Sequence, residues 1–566
     1  MDLRRRNGHF TGGVLVIAVV ALIAGCAPAD PDSADDGGDT ALGDDTGGDT
    51  DENGEGGGDT AANGEATGGT LSVGTTADVV NYNPLVGNSR TDTWVTNLMY
   101  PAMMSLDMDA EKIPWVATDW GYSDDGLTAT ATIRDDLTWT DGEPLTADDI
   151  VFTIEAIAAE GLGTVAGMIS AFESAEAVSD TEVAFNLSRP DGAFITSVGF
   201  WMPIVPAHVF GEAEVVGEFA NDSDWVSAGP FVLTEVDQGQ RYVLDAVENF
   251  PFVPEGRPAL DRVEFRVFPD VNTAALALRN GDLDVIANAL PPAQVDQLAN
   301  EDGLTVEQVP SLGWAHMQYN MRRAPLDQLE VRQALAHAVD YEAIRNVVLG
   351  GNAVSARSSV LTPTFGFWHD ESVEEYEFDP ELSRELLEDA GFEDSNGDGL
   401  YDDLSFDMVY DQGDANISGW AELVRDQSAD AGIDIQLNGL ERNTYLERTQ
   451  ERDFDIYAGS WAVIDEPQSN FGLLFDSDGF INYAGVDDPE VEALLEEASA
   501  ALTPEEALEP LQEVNRIVRD QVYDNVMYVE QFNFARSDAW TDWETKPSDL
   551  LSLISPQSLS QVRAAE

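Results

Sequence analysis

The chain has 566 residues, with 107 Asp and Glu against 27 Lys and Arg, for a formal net charge of −80. So acidic a surface repels nucleic-acid phosphates and anionic lipid headgroups, which excludes both as partners. A single cysteine excludes a disulfide framework, and the length implies several lobes with separate cores.

Arg4, Arg5 and Arg6 stand before an unbroken apolar run from Val14 to Ile23. A membrane span needs roughly 20 apolar residues, so a run half that long behind positive charge predicts an export signal. Ile23-Ala24-Gly25-Cys26 then resembles a bacterial lipobox. The resemblance implies removal of a signal peptide over 1–25 and a diacylglycerol thioether on the Cys26 sulfur. Two acyl chains are enough for stable anchoring. The alternative is an ordinary secretory signal that ends by chance in a cysteine. From Ala27 to Gly69 the chain has thirteen Asp or Glu, no Lys or Arg, and almost nothing large. Such a segment cannot bury enough apolar surface to offset its ordering entropy, so 26–69 is expected to be a disordered, charge-stretched tether.

The body alternates strand-like and helix-like segments from Thr70 onward, which predicts α/β or α+β lobes. Leu71-Ser72-Val73 opens a strand. Thr128 to Ile133 alternates threonine with apolar residues, as a half-buried strand does, behind a turn at Asp124-Asp125-Gly126. Thr146 caps a helix that has Asp149 three residues on and Ile150, Ile154 and Ile157 along one face. Val263, Phe265 and Val267 form another alternating strand. A helix over about 272–280 ends at Gly281, and a strand over 282–286 completes a strand-helix-strand unit. Val331, Leu335 and Val339 share a helical face, and Asp340 caps a helix that stops at Gly350. Pro489 opens a further helix. Thr503-Pro504-Glu505-Glu506 reads as a capping box with proline at the first helical position, and Pro510 predicts a kink or a late start.

Lysine occurs only as Lys112 and Lys546, and the acids run along the whole chain. Self-repulsion on that scale destabilises a fold in dilute buffer and is screened at molar salt, where the Debye length is roughly 3 Å. The composition therefore points to a salt-adapted organism, with a cation-binding surface as the competing reading.

The segment from Ile113 to Phe152 carries Pro114, Ala117, Trp120, Asp124-Asp125-Gly126-Leu127-Thr128, Ile133-Arg134-Asp135, Trp139 and the run Asp141 to Phe152. It resembles the signature of the family 5 extracellular solute-binding proteins, the peptide, dipeptide and nickel receptors of ABC importers. Later blocks match in order: Gly229-Pro230-Phe231, Glu248-Asn249-Phe250, Leu278 to Asp284, Val331 to Asp340, Asp379 to Gly391, Phe454-Asp455 with Trp461, and Pro489 to Leu495. The resemblance implies an α/β, periplasmic-binding-protein-like two-lobed clamp (type II, cluster C) with an additional domain. Domain I is expected over 70–105, 225–315 and 535–566, domain II over 106–224, and domain III over 316–534. It also implies a monomer, anchored by lipid on the extracytoplasmic face, that captures oligopeptides or dipeptides between the lobes. The ligand passes to ABC permease subunits with cytoplasmic ATPases, and the receptor performs no chemistry. Same-fold receptors for a nickel chelate or sugar, and a peptide-sensing signalling receptor, are the alternatives.

In peptide-binding relatives an acid between a tryptophan and an Asp-Pro or Glu-Pro pair meets the ligand amine. Here that segment is Trp461-Ala462-Val463-Ile464-Asp465-Glu466-Pro467, one residue short, with Val463 or Ile464 where the acid is expected. Asp465 takes over the role by a small backbone shift, or the ligand lacks a free amino terminus. Trp461 is a candidate to stack on ligand or to fill the core. Asn81, Tyr82 and Asn83 end a strand beside the expected cleft or simply form the turn before Pro84. Trp201 and Trp314 are further candidates, with Glu466 beside Asp465.

No catalytic motif is present, and no resident cofactor is expected. Asp394, Asn396, Asp398 and Asp402 occupy calcium-loop positions, but Ser405 stands where a bidentate glutamate belongs. A structural calcium and a solvated turn are both open readings there. The five histidines show no ligand spacing.

Overall fold

The computed structural model describes residues 68–565, except 88, 109, 462–464 and 549. The signal, Cys26 and nearly all of the tether therefore lie outside the described residues. So do Ala462, Val463 and Ile464. Among the described residues no helix is long and apolar enough to cross a membrane.

The strand at Thr70–Thr75 pairs in parallel with Arg262–Val267 on one side and Val285–Ile286 on the other. Leu71, Ser72 and Val73 are all buried, so both faces of this strand are covered, as is usual where a sheet is parallel. Arg262–Val267 continues antiparallel into Arg241–Ala246 and Phe231–Asp237. The helix at Val271–Asn280 is capped by Asp270 and closed by Gly281 at φ 75°. Only glycine takes that left-handed conformation without strain. The strand that follows is shorter than the alternation predicts, Val285–Ile286, because Asp282 and Asp284 are engaged in turn and side-chain bonds.

A second row is formed by Ala315–Tyr319, Ile456–Ser460, Ser405–Asp411 and Asp434–Leu440. One 13-residue strand, Asn525–Ser537, joins the rows. Its first residues pair with Ala315–Met317 and its last with Leu304–Pro310 and Val285. The chain thus crosses between rows along two adjacent paths, near 310–315 and 529–531.

A separate four-stranded antiparallel sheet comprises Ala117–Tyr122, Thr128–Ile133, Glu182–Leu187 and Phe172–Ser179. The helix at Ala147–Glu160 lies on it, with the Thr146–Asp149 capping box formed. Asp149 is itself buried, and its other oxygen accepts from Ala207 N at 2.8 Å, which ties the helix to the next segment.

Two local expectations change. The helix at Pro504–Asp520 runs through Pro510, which is buried in it, so the late start does not occur. Packing of Leu511, Val514 and Val518 in the core outweighs one lost backbone bond. The helix capped by Asp340 is a short α turn, Tyr341–Ala343, continued as a π turn over Ile344–Val348.

Candidate functional site

A cleft of about 1090 Å³ opens between the four-stranded-sheet body and the second row. Arg189, Asp191 and Trp201 line it from one side, and Asp465, Leu473 and Phe480 from the other. Leu473 and Phe480 are exposed there despite their apolar side chains. Water-exposed apolar surface inside a concavity is what a ligand covers.

Two helices set the cleft's inner wall. Phe194–Trp201 presents Thr196, Phe200 and Trp201, and Pro467–Phe475 begins at the Glu466 cap with Pro467 at its first position. Proline there ends the extended segment and fixes the helix start. Asp465 and Glu466 are thereby held facing the other helix. Trp201 Nε1 donates to Asp465 Oδ2 at 3.0 Å, and Thr196 Oγ1 donates to Glu466 Oε2 at 2.8 Å.

Lys112 completes the contact. It lies on the short strand Lys112–Pro114, which pairs with Met104–Leu106. Its Nζ is 2.9 Å from Asp465 Oδ2 and 3.2 Å from the Asp465 carbonyl, and 4.5 Å above the Phe200 ring. The cation–π contact and the ion pair together account for an ammonium kept from water. Burial pushes the Glu466 carboxyl up to about 7, against the opposing pull of Lys112 and the Thr196 hydroxyl. Burial also raises Asp191, which Arg189 partly offsets.

The bodies also touch at Gly192. Its N–H donates to Ser499 O at 2.9 Å, at the end of the helix Pro489–Ala500. A Cβ at this position would lie 1.6 Å from Ala501 O, so only glycine permits the approach.

The sequence candidates divide sharply. Trp201 and Asp465 line the cleft together, and Glu466 lies buried directly behind them. Asn81, Tyr82 and Asn83 line neither this cleft nor the smaller cavity beside it. Asn81 Oδ1 accepts from Asn83 N, and buried Asn83 donates to Val216 O and Phe219 O, so these residues build the turn. Tyr82 packs against Trp225 and Tyr242. Trp314 is fully buried, with Nε1 bonded to Asp524 at 3.2 Å. Trp461 is 3 % exposed and packs edge-on against His316 and tilted against Tyr483, so it serves the core.

The calcium-loop residues are turned inward on their own backbone. Asp394 accepts from the N–H groups of Gly397, Asp398 and Gly399, and Asn396 donates to Asp398. Asp402 accepts from Ser395. Among the described residues no group of three or more His, Cys, Asp or Glu converges as a metal site. Sequence reasoning missed Lys112 and Phe200, which pack behind Asp465 and Trp201 rather than in the cleft itself. The signal was present in lysine's scarcity: a chain with two lysines places each for a reason.

The family model for bacterial extracellular solute-binding proteins, family 5, middle region, matches residues 111–482. The oligopeptide-binding protein AppA of Bacillus subtilis is 26% identical over 472 residues, covering 81% of this chain and 86% of the relative. The nickel-binding periplasmic protein of Escherichia coli is 25% identical over 413 residues, covering 70% of this chain and 76% of the relative. Among solved structures, the ABC transporter substrate-binding protein CtaP of Listeria monocytogenes superposes with a TM-score of 0.78 at 24% identity, over 88% of this chain and 100% of that one. The two-row sheet with its added body is the same fold, and the chain belongs to the family 5 bacterial extracellular solute-binding proteins.

Proposed function

We propose that this protein is the extracytoplasmic receptor of an ABC importer, that its cargo is short peptides, and that Cys26 ties it to the membrane by lipid. The cleft carries the reading. At about 1090 Å³ it exceeds the roughly 300–1,000 Å³ typical of small-molecule sites, and it combines apolar Leu473 and Phe480 with Arg189 and the acids Asp191, Asp465, Asp476, Asp478, Glu492 and Glu496. Its size and its exposed apolar surface suit a receptor that holds a peptide, and its acids suit a ligand that brings an amine or basic side chain. The oligopeptide-binding name of the Bacillus relative supports the same cargo.

The division into domain I (70–105, 225–315, 535–566), domain II (106–224) and domain III (316–534) is the frame of this reading. The separate four-stranded sheet, which falls within 117–187, supports it. Ligand bridges Trp201 and Asp465, hinge motion closes the bodies, and the permease reads the closed form as a monomer.

A second reading, a non-peptide solute such as a metal chelate, is favoured by one observation: Asp465 already holds Lys112 and Trp201. Native mass spectrometry of the protein, purified in high salt and exchanged just before spraying, decides between them. A ladder of short peptides released from the cleft is the expected result. A single non-peptide mass overturns the peptide cargo.

A further inference from the structure

Both lysines of the chain converge on one corner of the fold. Lys112 lies over Phe200, and Lys546 lines a cavity of about 110 Å³ whose walls include Trp115, Phe200 and Trp201. Thr164 and Trp201 line this cavity and the main cleft alike, so the smaller space is a side chamber behind Trp201. It has room for several waters, or for one carboxylate with a few attached carbons.

Lys546 is 2 % exposed. Its Nζ donates to Ser105 Oγ at 2.6 Å. Glu544 Oε1 approaches it only to 3.9 Å, beyond hydrogen-bond reach. Glu544 is also drawn elsewhere, because its other oxygen accepts from Gln561 Nε2 at 3.1 Å. An ammonium that deep in the fold needs a bonded counter-charge. Lys112 has one in Asp465; the bonded partner of Lys546 is a hydroxyl. Burial accordingly pushes the Lys546 ammonium down to about 8, with Glu544 and Asp107 opposing only in part. The Ser105 hydroxyl accepts from Lys546 and keeps its own hydrogen to donate. A carboxylate in the chamber would meet one cationic donor and one neutral donor side by side. In a molecule of net charge −80, an anion is held only where such donors offset the surrounding acids, and Lys546 and Ser105 are the donors here.

We propose that Lys546 and Ser105 form a carboxylate-binding subsite, and that a ligand lying in the main cleft places one carboxylate past Trp201 into the side chamber. The inference rests on the reading of the cleft as a ligand site and adds what one end of that ligand must carry.

The test uses the full chain in molar KCl with two tetrapeptide libraries of the same composition, one with free carboxyl termini and one with C-terminal amides. Native mass spectrometry after brief exchange counts what each retains. We expect the wild type to retain free acids at least tenfold over amides. Lys546→Met should abolish that preference while amide retention stays unchanged. Equal retention of acids and amides by the wild type, or a preference that survives in Lys546→Met, overturns the subsite. Retention of neither library overturns the peptide cargo instead, and the subsite is then decided without peptides. Lysine-selective ε-13C labelling of the wild type gives two side-chain signals, assigned by loss of one in Lys112→Met. Titration with propionate against equal chloride should move the Lys546 signal and leave Lys112 in place. A Lys546 signal unmoved by propionate overturns the subsite.

Discussion

Lys112 Nζ and Asp465 Oδ2 meet at 2.9 Å across the boundary between the four-stranded-sheet body and the second row, with side chains only 8% and 6% exposed. An ion pair so sheltered is costly to break from one side, because the remaining charge stays buried. Lys112→Met is therefore expected to lower stability by about 3 kcal/mol, within the range for halved buried pairs. The double variant Lys112→Met/Asp465→Asn should recover most of that. Denaturant unfolding of the three proteins checks it; a double variant no better than the single one removes the pair as the cause.

The same pair bears on ligand choice. Lys112 occupies the carboxylate that a ligand amine would otherwise seek. Removing its ammonium should favour peptides with free amino termini over N-acetylated ones by roughly tenfold, the contribution of one charge-assisted hydrogen bond. Titration calorimetry of Lys112→Met against the wild type, with one peptide in both forms, measures the ratio. No change in that ratio shows that ligand amines do not reach Asp465.

Glu466 gives the contact a pH dependence. Its carboxyl is raised from an ordinary 4.5 to about 7, chiefly by burial. The folded state holds this proton more tightly than the unfolded chain does. Its contribution is fully present below pH 4.5 and is lost as pH rises through 7, with an upper size of about 3 kcal/mol. Melting curves of the wild type should fall between about pH 5 and 8 relative to Glu466→Gln, which cannot titrate there. Parallel curves would assign the pH dependence to other groups.

Gly192→Ala tests the other contact between the bodies. The new methyl collides with the Ala501 carbonyl, and relief requires the body bearing Gly192 to move off the helix Pro489–Ala500. A loss of about 1–3 kcal/mol is expected, as for overpacked sites. Small-angle scattering should show a more open molecule; an unchanged profile and melting point would mean the loop absorbs the methyl locally.

Strands and caps were legible in the sequence because their signals are local. Thr146 and Asp149, or Gly281 at the end of Val271–Asn280, act within one turn of their own helix. The cleft was legible only in part. Trp201 and Asp465 could be named separately, but their hydrogen bond joins residues 264 positions apart, and no local pattern encodes it. For Asn83, Trp314 and Trp461 the sequence left both readings open for the complementary reason: polar and aromatic residues beside a cleft are equally suited to building its walls. Asn83 commits its amide to Val216 and Phe219, and Trp314 commits its indole N–H to a buried aspartate.

The strand Asn525–Ser537 limits how the molecule can move. Because one continuous backbone supplies ladder partners to both rows, sliding the rows apart would tear hydrogen bonds along its length. Twisting it over residues 529–531 disturbs far fewer, because there the partners change from one row to the other, beside the two-residue strand Ala353–Val354. The two halves of this protein therefore have an axle rather than a gap between them, and the motion this strand leaves them is a change of angle, not of distance.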